Sequence, residues 1–326
     1  MRYLRTRTRT FAQQLARGHC VDDLRLDLWR ETADGRATLI NLSENHTFLV
    51  EAPAGRSVLR VHRPGYQTAE TIESELSWLA ALSRDTDLPV VRPLPGRDGR
   101  LLQQMGDRYA VLFAFEEGRE PTSGSAPLFR TIGAFAAKAH LHVTTWQPPA
   151  GFTRPTWSAE AMLEPDGLWG DWRKAPGVGA VRETLDAVTA RLHADLAAYG
   201  AGPDRFGLIH ADMRLANLLV DGPRTTLLDF DDSGFGWFMY DLGSALSFID
   251  LEPDAPALRA AWLEGYTALR PLSAEDLAII DAMVLLRRMV LLAWIGTHGE
   301  TQLAQAHVRT FAADTARAGR TWLERG

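Results

Sequence analysis

The segment from Leu208 to Asp232, LIHADMRLANLLVDGPRTTLLDFDD, places polar residues at set intervals between apolar stretches. His210 and Asp212 are followed by Asn217 and, beyond a predicted hairpin, by Asp229. Phosphoryl transfer requires this kind of set, because a carboxylate orients the attacking hydroxyl and oxygen ligands hold the magnesium that neutralises the phosphates. The spacing from Asp212 to Asn217 equals that of the kinase catalytic loop H-R-D-x-x-x-x-N. The segment therefore predicts a magnesium-dependent kinase site.

Each half of this pattern has a simpler interpretation when it stands alone. An isolated His-x-Asp is usually a turn or a capping pair, and an isolated Asp-x-Asp is often a solvated strand end. Their occurrence together, in this order and between strand-like flanks, favours the catalytic interpretation.

The rest of the chain predicts two lobes around this segment. Alternation from Ala37 to Val61 indicates a strand and a hairpin, Thr68 to Arg84 has the apolar spacing of an amphipathic helix, and Tyr109 to Phe115 is an apolar strand. After Glu116-Glu117-Gly118 the spacing is helical, over residues 128–146, 178–199, 255–269, 273–297 and 302–323, interrupted by a β-hairpin at Asp221-Gly222-Pro223. We expect an α+β, protein kinase-like fold, with a small antiparallel-sheet N-lobe over residues 1–115 that binds nucleotide. A larger, mainly helical C-lobe over residues 116–326 would carry the catalytic loop and the acceptor site.

Composition excludes several classes of protein. Of the 326 residues 46% are hydrophobic and 23% charged, as in ordinary globular proteins, and no apolar run is long enough to span a membrane. A net charge of −6 argues against nucleic acid as a partner. Cys20 is the single cysteine, so no internal disulfide can form and a reducing cytoplasm is expected. We predict an Arg-rich helix over the first 20 residues rather than a transit peptide, and a monomer or homodimer without membrane partners.

The motifs HADMRLAN and LLDFDD resemble the Brenner-type motif of the aminoglycoside phosphotransferase and choline kinase-like superfamily. WFMYDL resembles its aromatic-plus-Asp-Leu segment. SENHTF, LRVHRPGY and SELSWL resemble N-lobe blocks of the branch that includes stress-response kinase A and the type II homoserine kinases. The resemblance covers roughly Ala37 to Thr297 and implies the protein kinase-like fold and ATP-dependent phosphoryl transfer.

The resemblance also implies roles for individual residues. Asp212 would be the catalytic base, Asn217 and Asp229 the magnesium ligands, and Asp231 a secondary metal or acceptor contact. His210 would brace the loop through hydrogen bonds, and Asp241 would tie the loop down. We count His210 and Arg214, which lies inside the loop, with Asp212 as candidate catalytic residues.

The nucleotide-binding part departs from the kinase pattern in two ways. Arg60 stands where kinases use a lysine to hold the phosphates, with Glu75 as its expected partner and a solvated helix face as the alternative for Glu75. No G-x-G-x-x-G is present, so backbone amides around Ser43, Glu44 and Asn45 would meet the phosphates instead. Adenine would bind near Phe115, Glu116 and Glu117.

The acceptor is the least specified part of the prediction. A small molecule with a hydroxyl group is favoured: an amino alcohol, a hydroxy amino acid such as homoserine, a sugar or an aminoglycoside. A Ser/Thr protein kinase of the stress-response type is the alternative, and a non-catalytic nucleotide-binding pseudokinase is less favoured. Arg287 and Arg288 interrupt an apolar helix and would either recognise an anionic group of the substrate or, as favoured, pair with internal acids. The Trp- and Pro-rich stretch from Gln147 to Gly177 is either an ordered cap or a plain connection.

Overall fold

A computed structural model describes residues 24–42 and 45–325. The predicted Arg-rich N-terminal helix, Cys20, Ser43 and Glu44 lie outside these ranges. The chain divides into two compact units. Among the described residues, the sheet unit contains those up to Ala69 together with Pro93–Phe115, and the helical unit contains Glu70–Arg92 and those from Glu116 onward.

The sheet unit is built on a six-stranded antiparallel sheet. Its strands are β1 (Arg36–Leu42), β2 (Asn45–Ala52), β3 (Gly55–His62), β4 (Pro93–Leu94), β5 (Leu102–Met105) and β6 (Arg108–Ala114), in the order β1-β2-β3-β6-β4 with β5 also paired to β6. One face packs into a core that includes Phe48, Val50, Leu59 and Leu112, because alternate residues of each strand point to the same side. The strand and hairpin predicted between Ala37 and Val61 are confirmed.

The helical unit contains ten α-helices within the described residues. They are α1 (Ala69–Asp85), α2 (Ala126–Val143), α3 (Ala159–Leu163), α4 (Arg182–Tyr199), α5 (Tyr240–Ala245), α6 (Ala255–Thr267), α7 (Ala274–Ala278), α8 (Ile280–Thr297), α9 (Gln302–His307) and α10 (Phe311–Leu323). Each of the two predicted C-terminal helices is two helices in the structure. Continuous apolar spacing does not reveal a short break between helices, so α7 and α8, like α9 and α10, were merged in the prediction. None of the helices among the described residues is both long and apolar enough to cross a membrane.

Two small antiparallel pairs interrupt these helices. The predicted hairpin is present as β8 (Leu218–Asp221) and β9 (Arg224–Leu227), with Gly222 at the positive φ that its turn requires. The second pair, β7 (Phe206–Ile209) with β10 (Gly234–Trp237), was not predicted. Three of its eight residues are glycines, which weaken the sequence signal for a strand. This pair fixes both ends of the segment that carries the predicted site.

Helices α2 and α6 cross at very short distance through two glycines. A Cβ atom on Gly133 would lie 2.0 Å from the Trp262 carbonyl oxygen, and one on Gly265 would lie 1.9 Å from the Arg130 carbonyl oxygen. Only glycine fits at either position. The close crossing brings His140 of α2 against Tyr266 of α6.

Candidate active site

The predicted catalytic loop, residues 210–217, begins where β7 ends and leads through a 3-10 turn, Leu215–Asn217, into β8. Asn217 Nδ2 donates hydrogen bonds to the Asp212 backbone oxygen and to Asp212 Oδ2, both at 2.8 Å. Arg214 Nε donates to the same carboxylate oxygen at 3.0 Å. The structure therefore brings Asp212, Arg214 and Asn217 into one hydrogen-bonded cluster.

The backbone just before Asp212 has an unusual conformation. Ala211 has a φ of 66°, a region that residues with a side chain rarely occupy and that costs about 1–3 kcal/mol. The Asp241 carboxylate of α5 accepts hydrogen bonds from the amides of His210 at 3.1 Å and Ala211 at 2.8 Å. These charge-assisted bonds offset the strain, since a loop that left its place would lose both. Asp241 ties the loop down, as the resemblance implies.

His210 connects the catalytic loop to the segment after β9. Its Nδ1 accepts from the Asp212 amide at 3.3 Å, and its Nε2 lies 2.9 Å from the Leu228 carbonyl oxygen. Burial lowers the pKa of His210, so the ring is neutral at physiological pH. A neutral ring that accepts at Nδ1 carries its proton on Nε2, which donates to Leu228. These are the contacts expected of a bracing residue.

His140 of α2 contacts the Asp241 carboxylate that holds the loop. His140 is not among the candidate site residues predicted from the sequence. Its Nε2 lies 3.0 Å from Asp241 Oδ2, and its Nδ1 lies 2.9 Å from the Tyr266 hydroxyl, which accepts from Arg270 at 3.0 Å. Burial lowers the pKa of His140 and keeps it neutral. The available signal was its place on the apolar face of a predicted helix, where a polar side chain needs a buried partner.

The second oxygen of Asp212 is bound from a distant part of the chain. Arg287 of α8 donates from Nη2 to Asp212 Oδ1, and the neighbouring Arg288 binds Asp250 at 2.7 Å. The prediction that both arginines pair with internal acids is confirmed. Burial by itself raises the pKa of Asp212, but the guanidinium groups of Arg214 and Arg287 outweigh it and hold that pKa below its ordinary value. Asp212 is therefore ionised at neutral pH.

The predicted metal-binding segment follows β9 directly. The Leu228 amide donates to the Asn217 carbonyl oxygen at 2.8 Å, which joins this segment to the catalytic loop. Asp229 is exposed with a φ of 56°, while Asp231 is buried. The two carboxylates therefore differ in environment, since Asp229 is open to solvent and Asp231 is not.

Arg154, from the Trp-rich stretch, holds the same segment through its carbonyl groups. Its guanidinium donates to the backbone oxygens of Ser233 at 2.6 Å, Phe230 at 3.3 Å and Asp231, and also to that of Thr71 in α1 at 2.9 Å. Trp157 Nε1 donates to the Asp232 carbonyl oxygen at 2.9 Å. The start of the Trp-rich stretch is therefore ordered and supports the candidate site, so it is not a plain connection.

The donor set fits a divalent metal that is completed by phosphate. Within the described part of the chain, no three His, Cys, Asp or Glu side chains form a ready-made metal cluster. Kinase magnesium ions usually bind through one or two carboxylates plus substrate phosphates, so Asn217, Asp229 and Asp231 are of the right chemical type. Burial, together with the carboxylates of Asp212, Asp231 and Asp229, raises the pKa of Asp232 well above its ordinary value. A cation is favoured in such surroundings.

The predicted nucleotide-binding residues lie in both units. Arg60 on β3 is 7% exposed, with its guanidinium 5.1 Å from the centre of the Phe113 ring, and Asn45 opens β2. Glu75 of α1, in the helical unit, is fully buried, so the solvated-face interpretation of Glu75 is wrong. The pairing of Arg60 with Glu75 stays a prediction.

The residues predicted to surround adenine fall at the point where the chain passes from one unit to the other. Phe115 packs under Arg56, whose guanidinium lies 4.0 Å from the ring centre. Glu116 accepts from Arg224 of β9 at 2.9 Å. Glu117 lines a cavity of about 600 Å³ together with neighbouring residues and the β8–β9 turn. Binding of adenine by these residues stays a prediction.

An antiparallel sheet unit, a helical unit and a His-x-Asp loop followed by Asn and Asp define a small kinase-like phosphotransferase. The chain belongs to the phosphotransferase enzyme family (APH), whose family model matches residues 37–274. The predicted α+β kinase-like fold and kinase activity are thereby confirmed, and the family implies ATP and a divalent metal.

Three similar proteins are kinases whose names indicate small-molecule substrates. The structure of the microcompartment-associated aminopropanol kinase is 40% identical, with a TM-score of 0.86, over 94% of this chain and 97% of that one. A homoserine kinase of Neisseria meningitidis serogroup B is 26% identical over 83% of this chain and 85% of that protein. An amicoumacin kinase in complex with AMP-PNP, Ca²⁺ and Ami shares the fold, with a TM-score of 0.74 at 20% identity, over 89% of this chain and 90% of that one.

Proposed function

We propose that this protein transfers the γ-phosphate of ATP, with Mg²⁺, to the hydroxyl group of a small amino alcohol. The observation that carries the phosphoryl-transfer part is the cluster of Asp212, Asn217 and Arg214, which has the residue types and the spacing of a kinase catalytic loop. Asn217 and Asp229 would hold the metal, with Asp231 in a secondary role. Bound Mg²⁺ would neutralise charge on the β- and γ-phosphates.

Asp212 would orient the acceptor hydroxyl and take its proton. Its low pKa makes it a weak base, but this suits a transition state in which bond formation to the nucleophile is slight and orientation matters most. Arg214 is partly exposed beside Asp212 and would stabilise negative charge that develops on the transferred group.

On the nucleotide side, Arg60 would hold the ATP phosphates and Glu75 would position Arg60. The amides of Ser43, Glu44 and Asn45 would approach the phosphates, and Phe115, Glu116 and Glu117 would surround adenine. A buried carboxylate such as Glu75 requires a cationic or hydrogen-bonding partner, which supports the proposed pair.

The arrangement of charges favours an acceptor with an ammonium group. Within the described residues no side chain donates a hydrogen bond to the half-buried Asp232 carboxylate, which lies in the negative surroundings of Asp212, Asp229 and Asp231. Its raised pKa favours the neutral acid, and an acceptor ammonium group beside Asp232 would favour the ionised form and pair with it. The 40% identity to an aminopropanol kinase supports the same class of acceptor.

A hydroxy amino acid such as homoserine is the second candidate, because curated homoserine kinases are among the relatives. Its carboxylate would need a cation. Arg287 binds Asp212 and Arg288 binds Asp250, so both are engaged in buried pairs, and the proposed role of Arg214 is already to contact the transferred phosphate. We therefore rank the amino alcohol first.

An acceptor panel with labelled ATP tests this proposal. Aminopropanol, propanediol, homoserine and a serine-containing peptide should be compared by kcat/KM, with Mg²⁺ and with excess chelator. We expect aminopropanol to exceed propanediol, which offers the same hydroxyl without the ammonium group, and chelator to abolish transfer. A preference for the peptide would support the protein-kinase alternative, and equal rates for aminopropanol and propanediol would refute the role of the ammonium group.

A further inference from the structure

Two adjacent arginines on α8 are buried to nearly the same extent but serve different parts of the molecule. Arg287 is 1% exposed and Arg288 is 4% exposed. Arg288 binds Asp250 and the Thr315 hydroxyl, with its guanidinium 4.4 Å from the centre of the Phe311 ring. All of these partners lie outside the catalytic loop.

Arg287 instead contacts Asp212 and the residues around it. Nη2 donates to Asp212 Oδ1, and Nη1 lies 3.3 Å from the Ala211 carbonyl oxygen and 3.4 Å from the Tyr240 hydroxyl. Nε donates to the Ser247 hydroxyl at 2.8 Å. The guanidinium also lies 5.0 Å from the centre of the Trp169 ring. Packing and hydrogen bonds together leave the guanidinium little freedom to rotate.

We propose that Arg287 is a positioning residue for phosphoryl transfer, which fixes the direction of the Asp212 carboxylate and holds the strained Ala211 peptide in place. This inference rests on the proposed role of Asp212 as the base. Arg287 acts through Asp212 and does not itself touch the acceptor.

The two oxygens of Asp212 show why a residue outside the loop is needed. Asn217 and Arg214, both in the loop, donate to Oδ2, whereas Oδ1 is bound by Arg287. Contacts to one oxygen allow the carboxylate plane to turn about that oxygen, and a donor on the second oxygen prevents it. A reacting group displaced by about 1 Å can slow a reaction by about 10²-fold, so this restraint bears on the rate.

Arginine suits this role better than lysine. Its planar fork reaches Asp212, Ala211 and Ser247 in one fixed arrangement, whereas a lysine ammonium would supply the charge without the fork. We therefore expect Arg287→Lys to retain part of the function and Arg287→Met to retain least.

The test compares Arg287→Met and Arg287→Lys with Arg288→Met and Arg288→Lys as matched controls. Each pair removes or alters one buried, acid-paired arginine on the same helix, so both should lower thermal stability to a similar degree. We expect the Arg287 variants to lose about 10- to 100-fold in kcat with KM for ATP nearly unchanged, and the Arg288 variants to keep kcat. Equal kcat losses at the two positions, or a change confined to KM, would overturn the inference. If the Met variants do not fold, the two Lys variants decide by the same criteria.

An Asp212→Asn variant separates this inference from the proposed function. Asp212→Asn with near-normal turnover would refute Asp212 as the base. If Asp212→Asn is inactive and the Arg287 variants match the Arg288 variants, only the positioning role fails. Adding Arg287→Lys to Asp212→Asn should cause little further loss of residual transfer, because Arg287 acts through Asp212; a full multiplicative loss would contradict that route.

Discussion

The Asp212 carboxylate of the predicted catalytic loop and the Arg60 guanidinium of strand β3 are held in place to different degrees. Asp212 is hydrogen-bonded by Arg214 and Asn217 from its own loop and by Arg287 from α8, so its direction is set as well as its charge. Arg60 extends from a strand next to the Phe113 ring, and no short sequence motif specifies its geometry. A group that orients a hydroxyl depends on direction, whereas a group that holds phosphates depends first on charge. The two regions should therefore differ in their tolerance of conservative substitution.

The largest effect is expected at Asp212. Asp212→Ala should lower phosphoryl transfer by about 10²- to 10⁴-fold and leave nucleotide binding largely intact, because the base orients the acceptor and not ATP. Steady-state kinetics and calorimetric titration with ATP measure the two quantities separately. Turnover near the wild-type rate would remove Asp212 from the mechanism.

The metal ligands come next. Asp229→Ala and Asn217→Ala should each weaken Mg²⁺-dependent ATP binding, with Asp229→Ala the more severe because it removes a full negative charge. Asp229→Ala should lower metal affinity by more than the roughly 10- to 100-fold that is typical when a residue outside the direct ligand set is removed. Calorimetry with and without Mg²⁺ is the measurement, and metal-independent binding by the wild type would exclude the site.

Arg60 provides the direct test of tolerance. Arg60→Lys should keep substantial activity, whereas Arg60→Ala should raise KM for ATP by about 10- to 100-fold through loss of a charge-assisted contact. Glu75→Ala should resemble a weaker Arg60→Ala, and the double variant should be less than additive if the two form one ion pair. If Arg60→Lys is as impaired as Arg60→Ala, the orientation of the guanidinium group matters at this position as well as its charge, as the orientation of the Asp212 carboxylate does in the loop.

The smallest effect is expected at the buried histidines. His140 and His210 have pKa values lowered by burial, so the folded protein binds fewer protons than the unfolded chain as pH falls below about 6.5. The contribution of the two neutral histidines to the free energy of unfolding is fully present above that pH and is lost progressively below it. His140→Phe should cost about 1–3 kcal/mol of stability at pH 7.5 by removing a donor to Asp241. Urea unfolding at pH 7.5 and 5.5 should show a smaller pH dependence for this variant than for the wild type.

The sequence was most informative where one short stretch of backbone determines the geometry. The order and spacing of His210, Asp212 and Asn217 predicted a cluster that the structure contains, because these residues lie on one turn between two strands. His140 could not be assigned in the same way, since its partners Asp241 of α5 and Tyr266 of α6 meet it only after both helices pack against α2. Strands β7 and β10 escaped detection because they are short and rich in glycine.

Arg287 lies between these two cases. A buried arginine in an apolar helix predicted an internal acidic partner, and the structure contains one. That the partner is Asp212 follows only from the packing of α8 against the loop. Charge and burial thus predicted that the arginine has an acidic partner, and only the tertiary structure identified the partner on which its proposed positioning role depends.

The carbonyl contacts of Arg154 have a consequence for engineering new acceptor specificity. Arg154 and Trp157 lie in the stretch from Gln147 to Gly177, which would be a natural segment to exchange between relatives when constructing chimeras. Both side chains hold the backbone of residues 230–233 beside the proposed metal ligands. An exchange that includes them would disturb the backbone beside Asp229 and Asp231, and Trp169 of the same stretch packs against Arg287. A replacement should therefore retain Arg154, Trp157 and Trp169.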